Sequence, residues 1–124
     1  MLPDGKSAMN MASFKFTKAD RIQQRTEFLH LSKFGIKHQN RHFIAYALHN
    51  NKDHSRLGIT VTKKVGHAVA RNRIKRLIRE HFRQNRYKLS NSWDIKVVAK
   101  IHVNIEANKT ICLSLENLFE RLNK

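Results

Sequence analysis

The segment Ala68–Asn85 constrains the fold more than any other part of the chain. Its apolar residues recur at helical spacing over about 18 positions, which predicts one long amphipathic helix. A helix with one apolar side has to bury that side against other elements, so the remaining residues must supply a core. The apolar side carries Ala70, Ile74, Leu77, Ile78 and His81, with Phe82 at its border.

Three segments have the pattern of strands. Residues 41–48 alternate between apolar and mixed positions, and residues 56–62 do so after a turn at residues 50–53. We expect these two strands to pair as a hairpin, because they are neighbours in sequence. Trp93–Ala99 is a third, more apolar strand.

Two further helices complete the prediction. Residues 26–34 form a short helix that Gly35 ends, and residues 110–122 form an amphipathic helix in which Cys112 is expected to be buried. The chain has 124 residues, which fits one domain. The fold class is therefore α+β, with helices packed on a sheet of about four strands in a single small domain. We expect residues 1–13 to be a flexible tail and residues 14–124 to be the domain.

The net charge of the chain limits the partners that it can bind. Lys and Arg number 25 against 9 Asp and Glu, a net charge of +16 that disfavours a compact chain unless a polyanion binds it. Nucleic acid and an anionic membrane surface are the candidates. The sequence has neither a secretory signal pattern nor a stretch long enough to span a membrane, and its single cysteine cannot form an internal disulfide. These features favour the cytoplasm.

The positive charge is concentrated on the long helix and the turn before it. Ten of the basic residues lie between Lys63 and Lys88, opposed only by Glu80. On a helical wheel, Arg76, Arg79 and Arg83 lie opposite Ile74. Arg matches phosphate oxygens two at a time, and stacked cations repel one another without an anionic partner. The sequence therefore predicts a phosphate-binding face.

Several parts of the chain resemble one family. Its members, the bacterial ribonuclease P protein subunits, have a signature helix that is closely similar to Arg71-Asn72-Arg73-Ile74-Lys75-Arg76-Leu77-Ile78-Arg79. The run 57–66, the run Asn40-Arg41-His42-Phe43, the pair Glu27-Phe28 and the run 97–100 resemble other elements of that family. The resemblance covers roughly residues 14–122.

The resemblance implies a function and a topology. The chain would be the accessory protein subunit of ribonuclease P, a hydrolase and endonuclease in tRNA processing that removes the 5′ leader from precursor tRNA. The RNA subunit would perform catalysis with Mg²⁺, and the protein would lower the magnesium requirement while binding no cofactor, metal or small-molecule substrate and carrying no catalytic residue. The fold would contain a left-handed β-α-β crossover.

The resemblance also implies two binding sites. One faces the catalytic RNA and comprises Arg71, Asn72, Arg73, Lys75, Arg76 and Arg79. The other is a cleft between the first helix and the sheet that takes the single-stranded leader and comprises Phe16, Phe28, Tyr46, Thr60 and Lys64. Aromatic faces stack on bases while cations follow the backbone. The family often has a second aromatic residue one turn after Phe28, where this chain has Ser32.

Other groups of residues give weaker evidence of a function. His38 and His42 lie on a predicted extended segment, where four residues span about 13 Å, too far for a shared metal ion. The carboxylates are scattered, which does not suggest a two-metal nuclease in the protein. Two other classes stay open: a ribosomal or chaperone-like RNA-binding module, since folds are shared between functions, and a DNA-binding helix, for which Asn72 is the single non-cationic reader on the basic face.

Overall fold

The computed structural model describes residues 17–89 and 92–122. Three α-helices lie in these residues: α1 (Arg25–Phe34), α2 (Ala68–Asn85) and α3 (Asn108–Leu122). Helix α2 has the bounds that its periodicity predicts, and α1 ends at Gly35, whose N–H donates to the Leu31 carbonyl over 2.8 Å. The tail predicted for residues 1–13 lies outside the described residues.

Four strands form one mixed sheet. They are β1 (Ile36–Gln39), β2 (Phe43–His49), β3 (Arg56–Thr60) and β4 (Trp93–Ala99), in the spatial order β1-β2-β4-β3. Strand β2 is antiparallel to both β1 and β4, whereas β3 is parallel to β4. The α+β class is confirmed, and β1 is a strand that the sequence pattern did not predict.

The predicted hairpin between β2 and β3 is wrong. Strand β4 lies between them and pairs with both, because its Trp93, Ile95, Val97 and Ala99 are all buried and fill the centre of the sheet. Six residues separate β2 from β3, more than the tight hairpin turns that fix such a pairing.

Helix α2 connects two parallel strands. The chain runs from β3 through α2 to β4, so the β-α-β connection is confirmed. Its left-handedness stays an expectation from the family resemblance.

The main core lies on one face of the sheet, under α2 and α3. Buried side chains of α2 (Ile74, Ile78, Phe82) meet those of α3 and the inward residues of the strands. Cys112 does not contribute to this core and is exposed, because the buried stripe of α3 runs through neighbouring positions of the wheel. The members of that stripe are Ile111, Leu115, Leu118, Phe119 and Leu122.

The second face of the sheet carries α1. Arg56, Gly58 and Lys96 alternate with the core residues of their strands, and each is in contact with a residue of α1. Helix α1 therefore lies on the side of the sheet away from α2 and α3.

Candidate nucleic-acid interface

The outward side of α2 presents cations to solvent. Asn72 and Arg76 are exposed, and Lys75 and Arg79 are half-buried where the helix meets the segment before α1. None of these four side chains has a hydrogen-bond or ion-pair partner among the described residues. The cations of this side are therefore available to an external anion.

Two other arginines of α2 are half-buried and donate hydrogen bonds to acceptors within the protein. Arg71 Nε donates to the Gly66 carbonyl over 3.2 Å. The guanidinium of Arg73 donates to the carbonyls of Asn104 (3.0 Å) and Glu106 (3.2 Å) and to the side chain of Asn108. Arg73 thus fastens α2 to the start of α3, a role that the sequence pattern did not indicate.

The turn before α2 adds two more cations. Lys63 and Lys64 are both exposed in a turn closed by hydrogen bonds from Val65 N–H to the Thr62 carbonyl and from Gly66 N–H to the Lys63 carbonyl. At the other end of the helix, Arg83 forms a 2.7 Å ion pair with Glu80. The available cations therefore extend from this turn along α2 as far as Arg79.

Strand register creates an open cleft beside α1. Tyr46, Lys96 and Gly58 are cross-strand partners and form one row on the outer face of the sheet. Thr60 belongs to the next row, with Ile44 and Val98. We call the outer face of these two rows, together with Phe28 and Ser32 of α1, the cleft.

Phe28 lies directly over Gly58. A Cβ added to Gly58 would be 2.5 Å from Phe28 Cε1 and 2.8 Å from Cζ, distances that no real Cβ tolerates. The glycine therefore allows the aromatic ring to lie against the strand, with part of the ring left open to the cleft.

An ion-pair network seats α1 on the sheet. Arg56 Nη2 is 2.6 Å from Asp94 Oδ2 and 2.7 Å from Glu27 Oε2. Hydrogen bonds to Asp94 and to Glu27 raise the pKa of Arg56 above its ordinary value. Burial alone would raise the pKa of Asp94, but the hydrogen bonds from Arg56 and Asn50 hold it below its usual range. Because Glu27 and Phe28 are in the same turn of α1, this network also holds the backbone that carries Phe28 against β3.

Lys96 occupies the middle of the cleft floor. Its Nζ is 5.4 Å from the ring centroid of Phe28 and 5.8 Å from that of Tyr46, and it donates a 3.0 Å hydrogen bond to Ser32 Oγ. Burial lowers the pKa of Lys96 below its ordinary value. Lys96 is absent from the residues predicted for the cleft, although its signal is visible in the sequence: in β4, Lys96 lies between the apolar Ile95 and Val97, which places it on the face of the strand away from the core.

Phe28 belongs both to the cleft and to a groove beside the basic helix. This groove of about 230 Å³ is lined by Phe28, by Leu57 and Ile59 of β3, and by Lys75 and Arg79 of α2. Leu57 and Ile59 are on the face of β3 opposite Gly58 and Thr60, so the groove lies at the edge of the sheet beside the cleft. Of the residues predicted for the leader site, Phe28, Tyr46 and Thr60 share the outer face, whereas Lys64 lies in the turn beyond β3. Phe16 lies outside the described residues.

Two other kinds of feature, a cluster of metal ligands and a membrane-spanning helix, are absent from the described residues. Residues 17–89 and 92–122 contain no group of three His, Cys, Asp or Glu side chains that could hold a metal ion. His42 instead contacts Glu106 Oε2 (2.9 Å) and Ser114 Oγ (3.0 Å). His38 is in β1 and His42 is in the connection between β1 and β2, so the expectation of one extended segment through both residues is wrong. No helix in the same residues is long and apolar enough to cross a membrane.

Comparison with known proteins gives a consistent result. The family model described as Ribonuclease P matches residues 16–123. The ribonuclease P protein component of Desulforapulum autotrophicum is 43% identical over 112 residues, covering 90% of this chain and 96% of the relative. That of Desulfatibacillum aliphaticivorans is 45% identical over 114 residues, covering 92% and 97%.

Solved structures agree in fold. The RNase P protein of Staphylococcus aureus is 39% identical, with a TM-score of 0.80 over 84% of this chain and 95% of that one. The RNase P protein of Thermotoga maritima is 34% identical, with a TM-score of 0.76 over 84% and 98%.

Proposed function

Since this chain belongs to the family of bacterial ribonuclease P protein components, we propose that it binds the catalytic RNA with α2 and the 5′ leader of precursor tRNA with the cleft. The chain is the accessory protein subunit of the tRNA-processing ribonuclease P, whose chemistry the RNA subunit carries. The protein therefore contributes by holding two RNAs, each on its own surface.

The contact with the catalytic RNA uses the cations of α2. Exposed Arg76 and half-buried Lys75 and Arg79 bind phosphates directly, and Asn72 beside them reaches the same strand. Arg71 and Arg73 contribute partly through placement, because each also donates to backbone carbonyls within the protein. The proposed RNA-subunit site is therefore Arg71, Asn72, Arg73, Lys75, Arg76 and Arg79.

The leader lies in the cleft. Phe28 and Tyr46 offer ring faces for stacking, Thr60 a hydroxyl and Lys64 a cation, and we include Phe16 from the resemblance. The observation that supports this proposal is the groove that Phe28 shares with Lys75 and Arg79, since a single strand that passes Phe28 comes within reach of the cations of α2.

The protein's effect on magnesium follows from its charge. Two RNAs that meet at an active site repel each other, and a protein of net charge +16 between them offsets part of that repulsion. Fewer Mg²⁺ ions are then needed to bring the RNAs together, while those at the scissile phosphate belong to the RNA subunit. We place the complex in the cytoplasm.

The test is reconstitution with a bacterial ribonuclease P RNA at low magnesium. We expect the protein to restore leader removal from a precursor tRNA. Arg76→Ala should weaken this stimulation, whereas Lys109→Ala, which removes an exposed cation at the start of α3, should not. Magnesium titrations with and without protein measure the effect.

A different result would support a different function. If the protein binds the RNA but leaves cleavage unchanged at every magnesium concentration, the chain is an RNA-binding module without this enzymatic role. A preference for duplex DNA in competition would overturn the assignment of the basic helix to RNA.

A further inference from the structure

The cleft contains a lysine whose ammonium group is held in place by a side chain of α1. Ser32, one turn after Phe28, accepts a hydrogen bond from Lys96 Nζ over 3.0 Å. The Ser32 hydroxyl in turn donates to the Phe28 carbonyl over 3.1 Å, which fixes its orientation. The ammonium of Lys96 therefore has a defined position between the Phe28 and Tyr46 rings.

This ammonium has no counter-ion among the described residues. A lysine has three N–H donors, and Ser32 accepts one of them. The carboxylate two residues away on the same face of β4, Asp94, is already held by Arg56 and Asn50. The cleft thus presents a fixed positive charge with unused donors to whatever enters it.

Solvation favours an anionic occupant. Burial lowers the pKa of Lys96, which means that the charged form has lost part of its hydration. An anion beside Nζ offsets that loss, whereas a stacked neutral base does not. In a cleft walled by two rings, the group of a single-stranded nucleic acid that meets this requirement is a backbone phosphate.

We propose that Lys96, held by Ser32, binds one backbone phosphate of the leader, so that this subsite recognises charge instead of a stacked base. The inference rests on the proposed function, since it assumes that the leader occupies the cleft. Phe28 and Tyr46 then stack on the bases that flank this phosphate.

The first experiment compares two lysine variants in the reconstituted enzyme. Lys96→Met keeps the apolar stem and removes the charge, and we expect the affinity for precursor tRNA to fall about tenfold. Affinity for tRNA without a leader should not change. Lys33→Met is the matched control, since Lys33 also lies over a ring, that of Phe34, but is exposed outside the cleft.

The second experiment locates the phosphate. A series of leaders is prepared, each with one uncharged methylphosphonate at a different position. We expect the wild-type complex to bind one leader of this series more weakly than the others. In the Lys96→Met complex, a methylphosphonate at that position should no longer lower the affinity, because the cation that binds this phosphate has been removed. Ser32→Phe should also reduce the effect of the methylphosphonate, while making binding more sensitive to the base at that place.

Three results would be decisive. If Lys96→Met binds precursor tRNA as wild type does, or if no position loses its methylphosphonate effect, the phosphate subsite is overturned while the proposed function stands. If Lys96→Met weakens binding of tRNA with and without a leader equally, Lys96 has a structural role only. If the wild-type complex shows no preference for tRNA with a leader, leader binding itself fails and the subsite with it.

Discussion

At the scale of single residues, arginines of one helix have different partners. Arg73 and Arg76 are three positions apart in α2, yet Arg73 donates to two carbonyls of residues 104–106 whereas Arg76 is exposed. The charge pattern indicates that both are phosphate ligands. The geometry separates their roles, because a guanidinium that satisfies backbone acceptors also holds elements together.

This difference can be measured with a pair of substitutions. Arg73→Ala should lower the free energy of unfolding by about 1–3 kcal/mol, because it leaves carbonyl groups unsatisfied, and should also weaken RNA binding. Arg76→Ala should change stability by no more than about 0.5 kcal/mol. It should reduce the slope of log affinity against log salt by about one unit, as expected for one lost phosphate contact.

Urea unfolding and RNA-subunit binding at several salt concentrations give both quantities. An Arg73→Ala protein as stable as wild type would mean that the hydrogen bonds to residues 104–106 contribute little. An unchanged salt slope for Arg76→Ala would make Arg76 a solvated surface residue.

At the scale of elements, α1 depends on β3. The helix is seated by the ion pairs of Arg56 with Glu27 and Asp94, and by the close approach of Phe28 to Gly58. These contacts set the width of the cleft, since Phe28 forms one of its walls. Leader binding should therefore respond to changes in β3 that touch no nucleic acid.

Gly58→Ala tests this dependence. The added methyl group would be 2.5 Å from Phe28 Cε1, so the ring must move, at a cost of about 1–3 kcal/mol in stability. We expect weaker binding of precursor tRNA and unchanged binding of the RNA subunit, measured separately. Gly66→Ala is the control, because its new methyl would meet Ala70 Cβ and Asn104 Nδ2 at 3.0 Å, away from the cleft. Equal loss of leader affinity in both variants would argue against a specific role of Phe28 placement.

At the scale of the whole molecule, repulsion between the many cations opposes folding and favours binding to RNA. The chain carries +16, and several of its few carboxylates already pair with a cation of the protein, as Asp94 and Glu27 do with Arg56 and Glu80 with Arg83. The remaining positive charge is concentrated on α2 and the turn before it. The cations of the free protein therefore repel one another, and binding to RNA reduces this repulsion.

Salt should act in opposite directions on the free and bound protein. Raising monovalent salt from about 0.05 to 0.2 M should increase the melting temperature of the free protein, because it screens repulsion between cations. The same change should weaken RNA-subunit binding, by about a thousandfold if some six phosphates are contacted. Calorimetry and binding isotherms provide the comparison. A melting temperature that falls with salt would mean that the ion pairs, such as that of Arg56, outweigh the repulsion.

The sequence by itself determined the features that depend on neighbours along the chain. The bounds of α2 and β4, the end of α1 at Gly35 and the basic side of α2 follow from periodicity, since 3.6-residue and two-residue repeats are local properties. The ordered run Arg71 to Arg79 was sufficient to indicate the family.

Only the tertiary structure decided which strands pair and which side chains meet. Strand β4 separates β2 from β3 because the most completely buried strand takes the centre of the sheet, a choice that depends on the whole core and not on adjacency in sequence. The contact of Lys96 with Ser32 and of Arg73 with residues 104–108 joins positions 64 and at least 31 residues apart. No local pattern encodes such pairs, because their free energy exists only once the sheet and helices have brought the side chains together.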